Sequence, residues 1–326
     1  FFSSRRRHTR YGTVTGVQTC ALPICCPWYT LHSTLRRPEA AGGCDKLHAM
    51  NTQGKDSTPE RYGVVGHPIA HSRSPFIHAR FAAATAQSLL YDRHDIPPEE
   101  FEARLRALFA AGFRGVNVTV PHKESAARLA DVLTDRARRA GAVNTLAVQN
   151  DGSLLGDNTD GAGLMADLAY LGVKLRDRRI LILGAGGATR GILAPLLAAA
   201  PAALTIANRR LARALELQRA FGDLGDVDAC IYEDLPQRVA AHGGFDVVIH
   251  ATSAGMEGKL PAIERTIFAP DAFAYDLGYA PGDTPFVRWA RAAGVVRVAQ
   301  GLGMLDRKST RLNSSHSSVS RMPSSA

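Results

Sequence analysis

The chain has 326 residues, 45% of them apolar and 21% charged, which is the composition of folded globular domains and enough length for two of ordinary size. Its formal net charge of +9 suggests a polyanionic partner, but the charge sits at the ends: residues 1–50 hold seven Lys/Arg against two acids, residues 306–326 hold four against one, and the stretch between holds 28 basic and 27 acidic side chains. A nearly neutral interior has no long-range field to draw in nucleic acid or a membrane surface, so neither is expected as a partner.

Cysteine is distributed in the same uneven way. Cys20, Cys25, Cys26 and Cys44 precede residue 50, and only Cys230 lies further in. One interior cysteine excludes an internal disulfide framework and points to a reducing, cytoplasmic setting. The Cys25-Cys26 doublet has no second pair at ligand spacing, so no metal is expected.

The opening segment FFSSRRRHTRYGTVTGVQTCALPI and the closing DRKSTRLNSSHSSVSRMPSSA show neither a two-residue nor a 3.6-residue period. Both resemble translated sequencing-adapter sequence. Residues 1–49 are therefore expected to be non-native or upstream, with Met50 as the natural start, and residues 306–326 to be a non-native tail. The first strand is expected at Tyr62–Gly66. Ser74 and Pro75 then resemble an N-cap and N1 pair opening the helix FIHARFAAATA. LLYDRHDI reads as a strand, PPEEFEARLRALFAAG as an amphipathic helix, GVNVTV as a strand and ESAARLADVL as a helix. TLAVQ and SLLGD flank Asn150-Asp151-Gly152, a strong hairpin signal. This order predicts an N-terminal α/β domain over residues 50–159.

GAGLMADLAYLG reads as a connecting helix that begins a second domain, residues 160–300. RRILILGAGGATRGILAPLLAAA then gives a buried strand, a glycine turn and a helix, and LTIAN, ACIYE, DVVIHA and FAYDL supply further strands, a Rossmann-type doubly wound order. The apolar run Gly191–Ala207 approaches bilayer length, but Pro195 and Pro201 interrupt it, and a buried helix followed by a buried strand explains it better than a membrane span. Gly184, Gly186 and Gly187 stand between strand and helix, where backbone N–H groups and the helix dipole suit a pyrophosphate. At the end of the next strand, where NAD enzymes usually place an acid, the chain has Asn208-Arg209-Arg210 with Arg213 just beyond. Guanidinium forks without a carboxylate suit a 2′-phosphate, so the cofactor expected is NADP.

Polar groups gather where strands end: Ser72 and Ser74, then Asn117, Thr119 and Lys123, then Asn144, then Asn158, Thr159 and Asp160. Taken singly they read as a helix cap, turn formers and loop charges. Taken together they suit a small polyhydroxy acid, with a lysine and a carboxylate as an acid–base pair.

The motifs HSRSP, NVTVPHK, AGAVNT, GDNTDG, GAGGATRG, NRR, ATSAGM, YDLGY and GLGML, in this order from about Arg61 to Leu305, closely resemble the shikimate dehydrogenase family. The resemblance implies reversible NADPH-dependent reduction of 3-dehydroshikimate to shikimate in aromatic amino-acid and chorismate biosynthesis, by a monomer or homodimer. It implies Lys123 and Asp160 as catalytic pair, and Ser72, Ser74, Thr119, Asn144 and Tyr279 as substrate-binding residues. It also implies that Gly184, Gly186, Gly187, Ala188, Asn208, Arg209, Arg213, Leu277 and Gly301 line the cofactor site. In the family the chain continues after GLGML into an apolar helix with a substrate-contacting glutamine. Here residues 301–305 are expected to begin that return, with the remainder missing. The alternatives are a quinate/shikimate dehydrogenase and a truncated, inactive fragment that binds nucleotide only. A methylenetetrahydrofolate dehydrogenase would leave HSRSP and NTDG unexplained, and a nucleotide sensor would leave Lys123 and Asp160 without purpose.

Overall fold

The computed structural model describes residues 58–252 and 260–306. The expectations for residues 1–49, for the Cys25-Cys26 doublet and for the tail beyond Asp306 lie outside these residues. Within them, helices and strands assemble into two six-stranded sheets.

The first sheet is built from β1 (Glu60–Gly66), α1 (Ser74–Thr85), β2 (Leu89–Asp95), α2 (Phe101–Ala110), β3 (Phe113–Val118), α3 (Lys123–Leu129), β4 (Val132–Leu133), α4 (Asp135–Ala140), β5 (Thr145–Val148) and β6 (Leu154–Asp157). Its strand order is β2-β1-β3-β5-β6-β4. The β1–β2 and β1–β3 pairs are parallel, whereas β5 runs antiparallel to both β3 and β6. The expected hairpin forms: Gly152 takes a positive φ of 86° between β5 and β6, which glycine adopts without a Cβ clash. Val65, Ile96, Phe101, Leu105, Phe113 and Leu146 make this half's core.

Three details differ from expectation. Ser74 is the first helical residue of α1; Arg73 holds the cap position and its side chain makes no capping bond. The hydroxyl of Ser74 is engaged with Ser72 instead. The helix expected over ESAARLADVL ends at Leu129, because Ala130 turns extended at ψ 133° and Asp131 and Val132 pair with β6. The short α4 follows, capped by Thr134, whose hydroxyl accepts from the N–H of Ala137.

α5 (Asp160–Tyr170) leads into β7 (Arg179–Leu183), α6 (Gly187–Ala198), β8 (Ala203–Ala207), α7 (Leu211–Phe221), β9 (Val227–Cys230), α8 (Leu235–His242), β10 (Phe245–His250), β11 (Phe268–Asp276), α9 (Pro285–Ala292) and β12 (Arg297–Gln300). All pairs of this second sheet are parallel, in the order β12-β11-β10-β7-β8-β9. Helices cover both faces, so Ile180–Leu183 are completely buried and read as one continuous apolar run. The chain leaves β7 for β8 on one side and returns as β10 on the other; that reversal opens a crevice at the carboxyl end of β7. β9 ends at Cys230, short of the expected ACIYE strand, because Tyr232–Asp234 form a 3-10 turn. Residues 302–306, Asp306 included, are helical. Among the described residues no helix is long and apolar enough to cross a membrane, and Gly191–Ala207 resolves into most of α6 followed by β8.

Candidate active site

The carboxyl ends of β1, β3, β10 and β11 face a cleft of about 610 Å³. On the first-sheet side it is lined by Ser72, Ser74, Thr119, Lys123, Asn144 and Asp160; Ala188, Leu277, Tyr279 and Gly301 join from the other side. The structure thus brings together both expected catalytic residues, all five expected substrate residues and three of the expected cofactor residues.

The serine loop is fixed from outside. Arg93 on β2 donates through Nε (2.9 Å) and Nη2 (2.7 Å) to the Ser72 carbonyl. Tyr279 reaches across from the end of β11, its hydroxyl accepting from the Arg73 N–H at 3.2 Å. From this loop a chain of hydrogen bonds runs inward. Ser72 Oγ donates to Ser74 Oγ at 3.2 Å, and Ser74 bonds the Tyr91 hydroxyl. Tyr91 donates to Asn117 Oδ1 at 2.5 Å, Asn117 Nδ2 to Thr145 Oγ1 at 3.3 Å, and Thr145 to Asn144 Oδ1 at 3.0 Å. Asn144 Nδ2 ends the chain on Asp160 Oδ1 at 2.9 Å. Every donor points toward Asp160, which fixes both amide orientations. Burial pushes the Tyr91 phenol well above its usual pKa, so it stays a donor.

Lys123 opens α3 and Asp160 opens α5. Their side chains meet at 2.5 Å (Nζ to Oδ2), at exposures of 8% and 0%. A buried ion pair is tolerated when its remaining polar atoms are satisfied. Asp160 meets that condition through Asn144 and through its place in the first turn of α5, where the helix dipole favours an anion. Asn158 anchors the turn, donating to the Ala142 carbonyl and accepting from the Asp160 N–H.

The cofactor residues lie behind this pair. Gly184 has φ 111°, and a Cβ there would lie 3.0 Å from the Ala251 carbonyl oxygen, so the turn requires glycine. Thr189 closes the turn by donating to the Gly184 carbonyl at 2.8 Å. A Cβ on Gly186 would meet open space, and no capping side chain covers the start of α6. Gly187 passes so close to Lys123 that a Cβ would sit 3.0 Å from the lysine Cβ. At the end of β8, Asn208 donates to the Arg210 carbonyl, and Arg209 and Arg210 are exposed. Arg213 pairs with Glu124 at 3.4 Å and Glu216 at 3.7 Å. Gly301 packs against the Leu277 carbonyl, where a Cβ would come within 2.3 Å. Gly184, Gly186, Gly187, Asn208, Arg209 and Arg213 are not part of the cleft wall itself. An open glycine turn at a bare helix start, next to an acid-free pair of arginines, fits a phosphorylated dinucleotide.

Sequence reasoning missed Tyr91, Arg93 and Thr145. Tyr91 and Arg93 lie on β2 and act on residues distant in sequence, so no local pattern marks them; Thr145 stands inside AGAVNT, and what the sequence hides is its tie to Asn117. Among the described residues there is no cluster of three or more His, Cys, Asp or Glu able to hold a metal.

Two family models match the chain: "Shikimate dehydrogenase substrate binding domain" over residues 64–146 and "Shikimate / quinate 5-dehydrogenase" over residues 167–259. Shikimate dehydrogenase (NADP(+)) of Methylococcus capsulatus is 54% identical over 248 residues, covering 76% of this chain and 87% of that protein. The Aeromonas hydrophila protein of the same name is 54% identical over 246 residues, covering 76% and 88%. Among solved structures, an Ael1 enzyme from Pseudomonas putida superposes with a TM-score of 0.68 at 38% identity, covering 81% of this chain and 99% of that one. Shikimate 5-dehydrogenase from Thermus thermophilus, in complex with NADP(H) and shikimate, gives 0.66 at 34% identity, covering 78% and 92%.

Proposed function

The chain belongs to the shikimate dehydrogenase family, and we propose that the buried Lys123–Asp160 pair carries the chemistry of this NADP-dependent oxidoreductase. The reaction is the reversible reduction of 3-dehydroshikimate to shikimate on the path to chorismate and the aromatic amino acids. NADPH supplies the hydride. As negative charge develops on the carbonyl oxygen, the Lys123 ammonium stabilises it and provides the proton; in the reverse direction the same nitrogen takes the hydroxyl proton up. Asp160 holds the ammonium through Oδ2 while Asn144 holds Asp160 through Oδ1, so the donor is positioned before substrate arrives.

In this reading residues 50–159 bind substrate, residues 160–300 bind NADP, and residues 301–305 begin the return to the first half. Ser72, Ser74, Thr119, Asn144 and Tyr279 recognise the carboxylate and hydroxyls of the substrate. Gly184, Gly186, Gly187 and Ala188 cradle the pyrophosphate, Asn208, Arg209 and Arg213 take the 2′-phosphate, and Leu277 and Gly301 line the nicotinamide end. The protein works in the cytoplasm as a monomer or homodimer, and the Ser72/Ser74 pair favours shikimate over quinate.

The observation that carries the proposal is the 2.5 Å Lys123–Asp160 contact inside the cleft. Lys123→Ala is expected to lower kcat for shikimate oxidation by roughly 100-fold or more while KM changes little, because the interaction it removes matters in the transition state. Steady-state kinetics with shikimate and quinate check both claims; unchanged turnover would remove the lysine from the mechanism.

A further inference from the structure

A second buried polar cluster lies beside the cleft, and the hydride-transfer scheme makes no use of it. His250 closes β10 and Asp276 closes β11, as paired neighbours in register. His250 Nδ1 lies 3.0 Å from Asp276 Oδ1, and His250 Nε2 lies 2.7 Å from Thr252 Oγ1. The imidazole is 1% exposed and stacks on Phe286, with ring centroids 4.8 Å apart. Asp276 also accepts from the Gly278 N–H at 2.9 Å and from Thr284. Each member is satisfied, which a buried polar network requires. The outer end reaches the cleft: Thr252 lines it, and its Cγ2 lies 3.0 Å from where a Cβ on Gly184 would stand.

The carboxylate decides the direction of these bonds. Burial alone would raise the Asp276 carboxyl, but the His250 hydrogen bond and the positive charge that ring can carry, together with donors from Thr284 and Gly278, hold it below the usual carboxylate range. It is therefore ionised and only accepts, so Nδ1 carries the ring proton. In the neutral ring Nε2 is then a lone pair, and it accepts from the Thr252 hydroxyl. With its hydrogen committed inward, Thr252 offers only lone pairs to the cleft.

We propose that Thr252 contacts the cofactor as a hydrogen-bond acceptor, locked in that role by His250 and Asp276 as positioning residues, and that it receives a donor of the nicotinamide half, either a ribose hydroxyl or the carboxamide amine. A phosphate oxygen, itself an acceptor, gains nothing from such a hydroxyl. The proposal rests on the reading of the Gly184 turn as the NADP site.

Calorimetric titration of the full chain with NADP tests it, with thermal melting as a check on folding. Thr252→Val keeps the shape and removes the hydroxyl; it is expected to weaken NADP roughly 3- to 10-fold, the range of one hydrogen bond. Thr252→Ser restores the affinity. His250→Phe keeps the stack on Phe286 but removes the Nε2 acceptor, which frees the Thr252 hydroxyl to turn outward as a donor. It is expected to weaken NADP as Thr252→Val does, and the two losses are expected not to add in the double variant, which a merely structural role of His250 would not produce. Normal melting with unchanged affinity in Thr252→Val overturns the proposal, as do fully additive losses in the His250→Phe/Thr252→Val double variant. The 3-acetylpyridine analogue of NADP, which lacks the amine, separates the two donors: the Thr252→Val loss disappears with it if the amine is the donor and persists if the ribose is. Gly184→Val separates this inference from its premise. If that variant still binds NADP, the cofactor site lies elsewhere; if it loses NADP while Thr252→Val binds normally, only the acceptor role fails.

Discussion

The two charged corners of the candidate site are built in opposite ways. At Lys123–Asp160 the charges are buried, and a continuous chain of hydrogen bonds from the serine loop fixes their orientation. At Arg209–Arg213 the cations are exposed or half-exposed, and Arg213 is held by carboxylates at 3.4 and 3.7 Å. The difference matches the role proposed for each corner. Proton delivery depends on the placement of one atom, and a desolvated, preorganised pair supplies it. Discrimination of a dianionic phosphate at the surface depends on guanidinium forks that can meet its oxygens, and Arg209 is exposed.

If this contrast holds, disturbance should be most damaging at the buried corner. Asp160→Asn is expected to cost roughly 100-fold or more in turnover and, by leaving the buried Lys123 without its counter-charge, about 3–5 kcal/mol of stability. Stopped-time assays and denaturant melts measure the two losses, and a variant that keeps both would break the contrast. At the exposed corner Arg209→Ala should leave the fold untouched. It should weaken NADP by roughly 10- to 100-fold, the worth of one charged hydrogen bond, with little effect on NAD. Equal losses for the two cofactors would take the 2′-phosphate away from Arg209.

The smallest effect concerns acid. Asp157, at the end of β6, would have its carboxyl raised by burial, but donors from Arg136, Thr134 and the Asn158 N–H keep it below the ordinary range. A depressed folded-state pKa contributes stability that is full above the unfolded value, near 4, and is lost as pH falls through the folded value. Acid unfolding followed by circular dichroism should therefore steepen below about pH 4, and Asp157→Asn should flatten that limb. An identical acid limb in the variant would show that Asp157 does not contribute.

Much of this was legible in the chain. The run at Ile180–Leu183 announced a strand covered on both faces, and the glycines after it gained meaning from that context. Lys123 read singly as a loop charge, and the Lys123–Asp160 pair stood out only together with the polar groups gathered at the other strand ends. The parts that stayed hidden share one cause. β4 has two residues and α4 has six, too few to display a period, and tertiary pairing with β6 overrode the helical pattern that preceded them. Tyr91 and Thr145 reach Asn117 from 26 and 28 positions away. The bland reading of Ser74 as a helix cap failed because Ser72 claims its hydroxyl.

The contact between Gly187 and the lysine stem makes the nucleotide motif a ruler for the proton donor. A methyl group added at position 187 would press on Lys123 Cβ from 3.0 Å, closer than carbon atoms rest. It would shift the ammonium by a few tenths of an ångström without touching the substrate or any polar partner. If Lys123 acts as proposed, Gly187→Ala should accordingly slow the chemical step by a larger factor than it weakens NADP, whose pyrophosphate Gly187 is proposed to cradle, and the slower step should show as a larger primary deuterium isotope effect with NADPD. In the proposed mechanism, the placement of the proton donor thus depends on an absent side chain, and adjusting it takes one carbon atom.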